Sequence, residues 1–143
     1  MKWIVNFTIC MLSLWTLHAH AQTLEGVWTL EQCIITQDSA GVVSSIDYRI
    51  SDGNIPKWYI FTELTFGDEN SCSIMLNNSI IEGEYSLTDE GMLKLDFIIL
   101  LAEYHCILAS DTMLVLRRRH YFYNESNPES DFIDIELYYY KNR

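Results

Sequence analysis

The chain is poor in the residues that several function classes depend on. It has 9 Lys and Arg against 20 Asp and Glu, for a net charge of −11. A nucleic-acid surface needs clustered cations to replace counterions along a phosphate backbone, so this balance argues against that class. Proline occurs only at Pro56 and Pro128, outside every strongly apolar run, where strand chemistry tolerates it. No Gly-x-Ser-x-Gly nucleophile motif is present, and no Cys or His ligands stand in the close pairs that zinc favours. No stretch beyond the N-terminus approaches the roughly 20 apolar residues of a membrane-spanning helix. A sustained helical period is missing as well, so any helix should be short, with residues 38–56 its most natural host.

What is present begins with an export signal. Met1-Lys2 precedes an apolar run over residues 3–17, broken only by Asn6, Thr8, Ser13 and Thr16, and Ala19-His20-Ala21 follows. A positive start, an apolar stretch and a small-x-small site form the pattern of a secretory signal peptide. Cys10 sits mid-run behind Thr8-Ile9, which does not suit a lipoprotein anchor. The expectation is a signal peptide over residues 1–21 and one domain over 22–143, secreted or periplasmic. Cleavage would remove Lys2 and no acid, making the balance one unit more negative. Three cysteines remain, Cys33, Cys72 and Cys106. One pair could close in an oxidising compartment and leave one thiol over, or all three could act as apolar filler.

The rest reads as short β-rich runs over residues 26–37, 58–66, 71–77, 80–88, 92–99, 103–109, 113–123 and 132–141. Turn-forming Gly, Asn, Asp and Ser separate them, as at Gly67-Asp68-Glu69-Asn70, Asp89-Glu90-Gly91 and Ser110-Asp111-Thr112. Several runs alternate: Ile81, Gly83, Tyr85 and Leu87 oppose Glu82, Glu84 and Ser86, and Leu93, Leu95 and Phe97 oppose Lys94 and Asp96. A period of two puts each set on one strand face. Eight half-apolar strands either pack as two sheets or close into a barrel. Consecutive hairpins close most simply as an up-and-down antiparallel β-barrel.

The first mature strand carries Leu24-Glu25-Gly26-Val27-Trp28-Thr29-Leu30. This Gly-x-Trp resembles the opening of lipocalin-like proteins, in which the tryptophan plugs one barrel end. Gly83-Glu84-Tyr85-Ser86-Leu87, Gly91-Met92-Leu93-Lys94-Leu95, Asp111-Thr112-Met113-Leu114-Val115-Leu116 and Glu136-Leu137-Tyr138-Tyr139-Tyr140 follow in order. That succession is similar to small secreted lipocalin-like domains of bacteria. The resemblance implies an all-β lipocalin-like barrel of about eight strands with Trp28 as the plug. It departs from the family at one point: no arginine stands over residues 137–141 to cover the indole. In a bacterial protein, Asn77-Asn78-Ser79 and Asn124-Glu125-Ser126 are turn residues and not glycan acceptors.

Inward parity in the seventh run passes through Arg118 and His120. One reading sets them at an open mouth, holding the polar head of an otherwise apolar ligand, with Trp58, Tyr85 and Tyr139 lining the interior. The other leaves Arg117, Arg118 and Arg119 on an exposed strand end, neutralised by acids across the sheet. His105, His120 and Glu103 could meet at a metal only by converging from separate strands, and no metal site or cofactor is expected. His105 and Cys106 face opposite ways and cannot form a dyad. Tyr121, Tyr123, Tyr138 and Tyr140 fall on the outer face, an interaction surface unless residues 38–56 cover them.

The leading expectation is a secreted, non-catalytic barrel that binds a small, largely apolar ligand at one open end. The alternative is a filled barrel that meets an extracellular protein or glycan through its tyrosine face. A third is an enzyme inhibitor presenting the loop over residues 124–130. The first demands a cavity reaching Trp58 and Tyr85; the second demands a solid interior.

Overall fold

The computed structural model describes residues 24–39, 41–53, 61–76, 78–122 and 131–143. Among the described residues nine strands form one antiparallel sheet: β1 (Gly26–Ser39), β2 (Val42–Arg49), β3 (Glu63–Phe66), β4 (Ser71–Leu76), β5 (Ser79–Leu87), β6 (Met92–Phe97), β7 (Leu100–Ala109), β8 (Met113–Phe122) and β9 (Asp131–Lys141). From β3 to β9 each strand pairs with the next, and β9 returns to β1 over ten rungs, Trp28–Lys141 to Asp38–Phe132. The other edge of β1 is shared: its first residues take β3 and its later ones take β2. The closed ring therefore has eight strands, with β2 as a ninth on the shared edge. It is an up-and-down antiparallel barrel, compatible with the lipocalin-like fold. Among the described residues no helix is long and apolar enough to cross a membrane. Residues 1–21, the expected signal peptide, lie outside those described.

Seven of the eight expected runs became strands close to the expected bounds, and the run over 58–66 is described as a strand from Glu63. The segment over 38–56 departs. Any helix was expected to be short and to fall here; among the described residues a 3-10 turn does stand at Ile50–Asp52, but Val42–Arg49 pairs with β1 as β2. The reason lies in its partners: Asp47 accepts the Gln32 amide at 2.9 Å, and Ser45 meets Thr36 at 3.3 Å. Cross-strand polar pairs and β-branched Val42, Val43 and Ile46 outweigh the weak apolar signal of the segment.

An eight-stranded barrel is about wide enough for side chains to fill or for one small ligand to occupy. Here side chains fill the part around Trp28 and Tyr139, while toward the other end Arg118, Ile133 and Ile135 are half-buried and His120 is exposed. Trp28, Leu30, Leu64, Ile74, Leu93, Leu95, Leu114, Leu116, Leu137 and Tyr139 are almost wholly buried, with Phe61, Phe66 and Phe97 among them. Phe61 meets Phe97 edge-on at 6.2 Å between centroids. Gly83 lies opposite Phe97, and a Cβ built there would stand 2.5 Å from Phe97 Cδ1, so the missing side chain is space the Phe97 ring uses. No buried side-chain polar atom among the described residues is left without a partner. The inward parity read from the sequence holds through most strands, with two adjustments. A bulge between Leu30 and Gln32 shifts β1 so that Cys33 turns inward. Leu87, at the end of β5, is 42% exposed despite its inward parity, because it is the last residue of its strand.

Candidate functional site

One end of the barrel is closed by Trp28. Its side chain is fully buried, and its indole Nε1 donates to the Leu24 carbonyl at 2.6 Å. In place of the arginine missing over residues 137–141, Lys141, the cross-strand partner of Trp28, sets its Nζ 5.2 Å from the ring centroid. Gly26 makes that arrangement possible. It has φ +124°, and any Cβ would stand 2.5 Å from the Lys141 Cε. The Gly-x-Trp pair thus combines a plug with the slot through which a cation reaches it.

The interior residues singled out from sequence separate on inspection. Tyr139 is deep in the core, its hydroxyl donating to the Phe61 carbonyl at 2.8 Å, and burial pushes its pKa well up. Tyr85 packs edge-on to Phe66 at 4.9 Å, toward the end where β1 begins. Burial, then the Glu25 charge, raises its pKa. Arg118 and His120 lie instead toward the end where β1 finishes, on rungs with Ile135 and Ile133. Arg118 is half-buried, His120 exposed. Burial raises the Tyr104 pKa and the neighbouring Arg118 guanidinium pulls it partly back, while burial and the Arg118 charge lower that of His120. Arg118 and His120 are therefore brought together, and Tyr85 and Tyr139 are not brought to them. Trp58 lies outside the described residues.

The outer wall of β8 and β9 is a regular ladder. From one end its rungs are Met113–Tyr140, Val115–Tyr138, Arg117–Glu136, Arg119–Asp134 and Tyr121–Phe132. Arg117 Nε donates to Glu136 at 2.8 Å, and Arg119 makes two bonds of 2.6 Å to Asp134 while its guanidinium sits 3.9 Å from the Phe132 ring centroid. Hydrogen bonding to Arg119 holds the Asp134 carboxyl below its ordinary range. Tyr138 donates to Glu136 at 2.8 Å, which raises its pKa, and it is half-buried. Tyr121 and Tyr140 are 57% and 38% exposed. Residues 42–49 do not cover this face, since β2 lies beside β1 within the sheet. Tyr123 lies outside the described residues.

Sequence reading missed the feature next to that ladder. β7 and β8 pair only from His105–Arg117 to Ala109–Leu114, so no ladder joins residues 100–104 to residues 118–122. The barrel wall is notched there. A groove of about 900 Å³ runs over the outside of this seam, bounded by Glu90, Gly91 and Met92 at one end. Leu101, Glu103, His105 and Ile107 line one side, and Arg117, Arg119 and Tyr121 the other, with Arg118 at the notch. Glu103 is engaged by Lys94 at 3.1 Å. Of the ion pairs among the described residues, none takes Arg118. The signal in the sequence was the unbroken Arg117-Arg118-Arg119, but no residue pattern marks where a strand pair parts.

The cysteines offer no chemistry to this groove. Cys33 and Cys72 are buried free thiols whose pKa burial pushes up to about 11. Cys106 borders the groove as a free thiol, also raised by burial, with its Sγ 3.7 Å from the Leu108 carbonyl. A thiol held protonated is a poor nucleophile and a poor ligand. Among the described residues no His, Cys, Asp and Glu gather as a metal site. No family model, curated protein or solved structure matches the chain.

Proposed function

We propose that this protein is an exported, non-catalytic binding barrel that recognises its partner on its outer wall, through the β7–β8 groove and the adjoining Tyr121 end of the β8–β9 ladder. The observation that supports the reading is the packed core around Trp28 and Tyr139, whose side chains are 0–6% exposed. A small apolar cargo would have to displace them, at about 1.5–3 kcal/mol for each large side chain returned to water. The groove needs no such rearrangement. It offers the Arg118 guanidinium, which takes no carboxylate among the described ion pairs, and the His105 imidazole beside Leu101, Ile107 and Tyr121, on a chain whose net charge is −11. Arginine and tyrosine beside aliphatic area are the residues that dominate recognition surfaces. Complementarity therefore favours an acidic, partly apolar partner over a neutral cargo.

A photo-crosslinking amino acid placed at Ile107 or Tyr121, and in parallel at Ser44 on β2, tests this in the secreting host. The expected result is one discrete crosslinked species from the groove positions and none from Ser44. Equal labelling at all three positions, or no species from any, would remove the groove from consideration.

A further inference from the structure

Building on that outer-wall reading, we infer that the β7–β8 notch receives an extended polypeptide segment with alternating acidic and apolar residues, which adds as a strand to the edge of β8. Two independent features converge on this occupant. The first is backbone geometry. β8 continues for residues 118–122 as a regular strand, pairing on one side with β9 through Phe122–Asp131, while on its other side the ladder to β7 has stopped. Above that point β7 continues as well, tied to β6 from His105 down to Leu100. Two well-formed strands thus run on past the end of their shared ladder, and among the described residues no other strand pairs with the edge of β8 there. A strand edge in that state is a template for another chain, and an extended peptide satisfies it with main-chain hydrogen bonds.

The second feature is the alternation of side chains along β8. Arg118 and His120 point to the inner side of the wall, and Arg119 and Tyr121 to the outer side. An added strand has the same period of two, so its side chains fall into two sets. The inward set meets Arg118 and His120. Arg118 has Tyr104 as its neighbour and takes no carboxylate among the described ion pairs, so an acidic residue suits that position. The outward set lies over Leu101, Ile107 and Tyr121, exposed by 56%, 48% and 57%, where apolar residues suit. Glu103 on the far wall is already engaged by Lys94 and would not repel the segment at full strength. A glycan has no such donor and acceptor ladder, so a polypeptide is the occupant the geometry favours.

The test uses the mature chain and two synthetic peptides, one alternating Glu with Val and one alternating Lys with Val. Binding is followed by amide hydrogen exchange at residues 118–122. The expected results are slowed exchange there with the Glu-Val peptide, and affinity at least about tenfold weaker for the Lys-Val peptide and for Arg118→Met with Glu-Val. A Glu-Val peptide N-methylated at alternate residues leaves the protein unaltered and should lose the protection. Failure of Glu-Val to slow exchange, or equal binding of the N-methylated form, would overturn strand addition. The crosslinking at Ile107 and Tyr121 is separate from both: groove crosslinks without strand protection would leave the outer-wall reading standing and sink this one.

Discussion

At the scale of single residues, position matters more than residue type. Gly26 holds φ +124° and leaves room for the Lys141 stem over Trp28. Gly26→Ala is expected to cost about 1–3 kcal/mol, because the backbone strain persists even if the lysine moves aside. Chemical denaturation read by tryptophan emission checks it. Cys33 and Cys72, with pKa values of about 11, are expected to resist maleimide in the native protein. At about pH 8 that leaves roughly one thiolate in a thousand, and both should label promptly once denaturant unfolds the barrel. Asp134 is a pH probe. Its pKa is depressed in the fold by Arg119, so its contribution is present above the unfolded carboxylate value near ~3.9 and is lost as pH falls through the folded value. The stability gap between the wild type and Asp134→Asn should therefore be largest near neutral pH and close on acidification. Arg119 is 39% exposed, so the gap should stay below about 1 kcal/mol.

At the scale of elements, the β5–β6–β7 region contrasts with its own turn. Gly83 faces Phe97 across the sheet with no room for a methyl group, since an added Cβ meets both the ring and the Asp96 carbonyl. Gly83→Ala is expected to destabilise by about 1–3 kcal/mol, visible as a lower denaturation midpoint at unchanged slope. One turn further along, Ile98 is fully exposed and Ile99 is 74% exposed. Ile98→Ser in the same assay should shift stability by less than about 0.5 kcal/mol, since the side chain buries nothing. β2 shows where sequence pattern fails for an element. Val42, Val43 and Ile46 are 72%, 62% and 54% exposed, so no buried face imposed an alternation that could be read in advance. Its strand identity comes from pairing with residues 32–39 of β1, a long-range fact.

For the molecule as a whole, the barrel was legible because its core strands keep one strict period. Leu93, Leu95 and Phe97, then Leu114 and Leu116, then Leu137 and Tyr139 all entered the core as their alternation required. The plug was legible in Gly26-x-Trp28, whereas its covering cation was not, because a register of Trp28 with Lys141 depends on where β9 closes on β1. The site was legible only in part. Arg118, His120 and Tyr121 were visible as parity on β8, but the groove exists because β7 and β8 separate beyond His105–Arg117. No local residue pattern encodes a divergence between strands. Whether a barrel is filled is likewise a matter of summed volume, which alternation does not measure.

The most direct test of a filled barrel is native mass spectrometry of the protein, purified gently and weighed before and after organic extraction. The account expects the same mass in both, equal to that of the polypeptide, with Leu95→Ala lowering stability by about 2–5 kcal/mol as a packed core requires. A bound mass that extraction removes, and that a bulkier side chain at Ala102 abolishes, would contradict it and return the ligand to the interior.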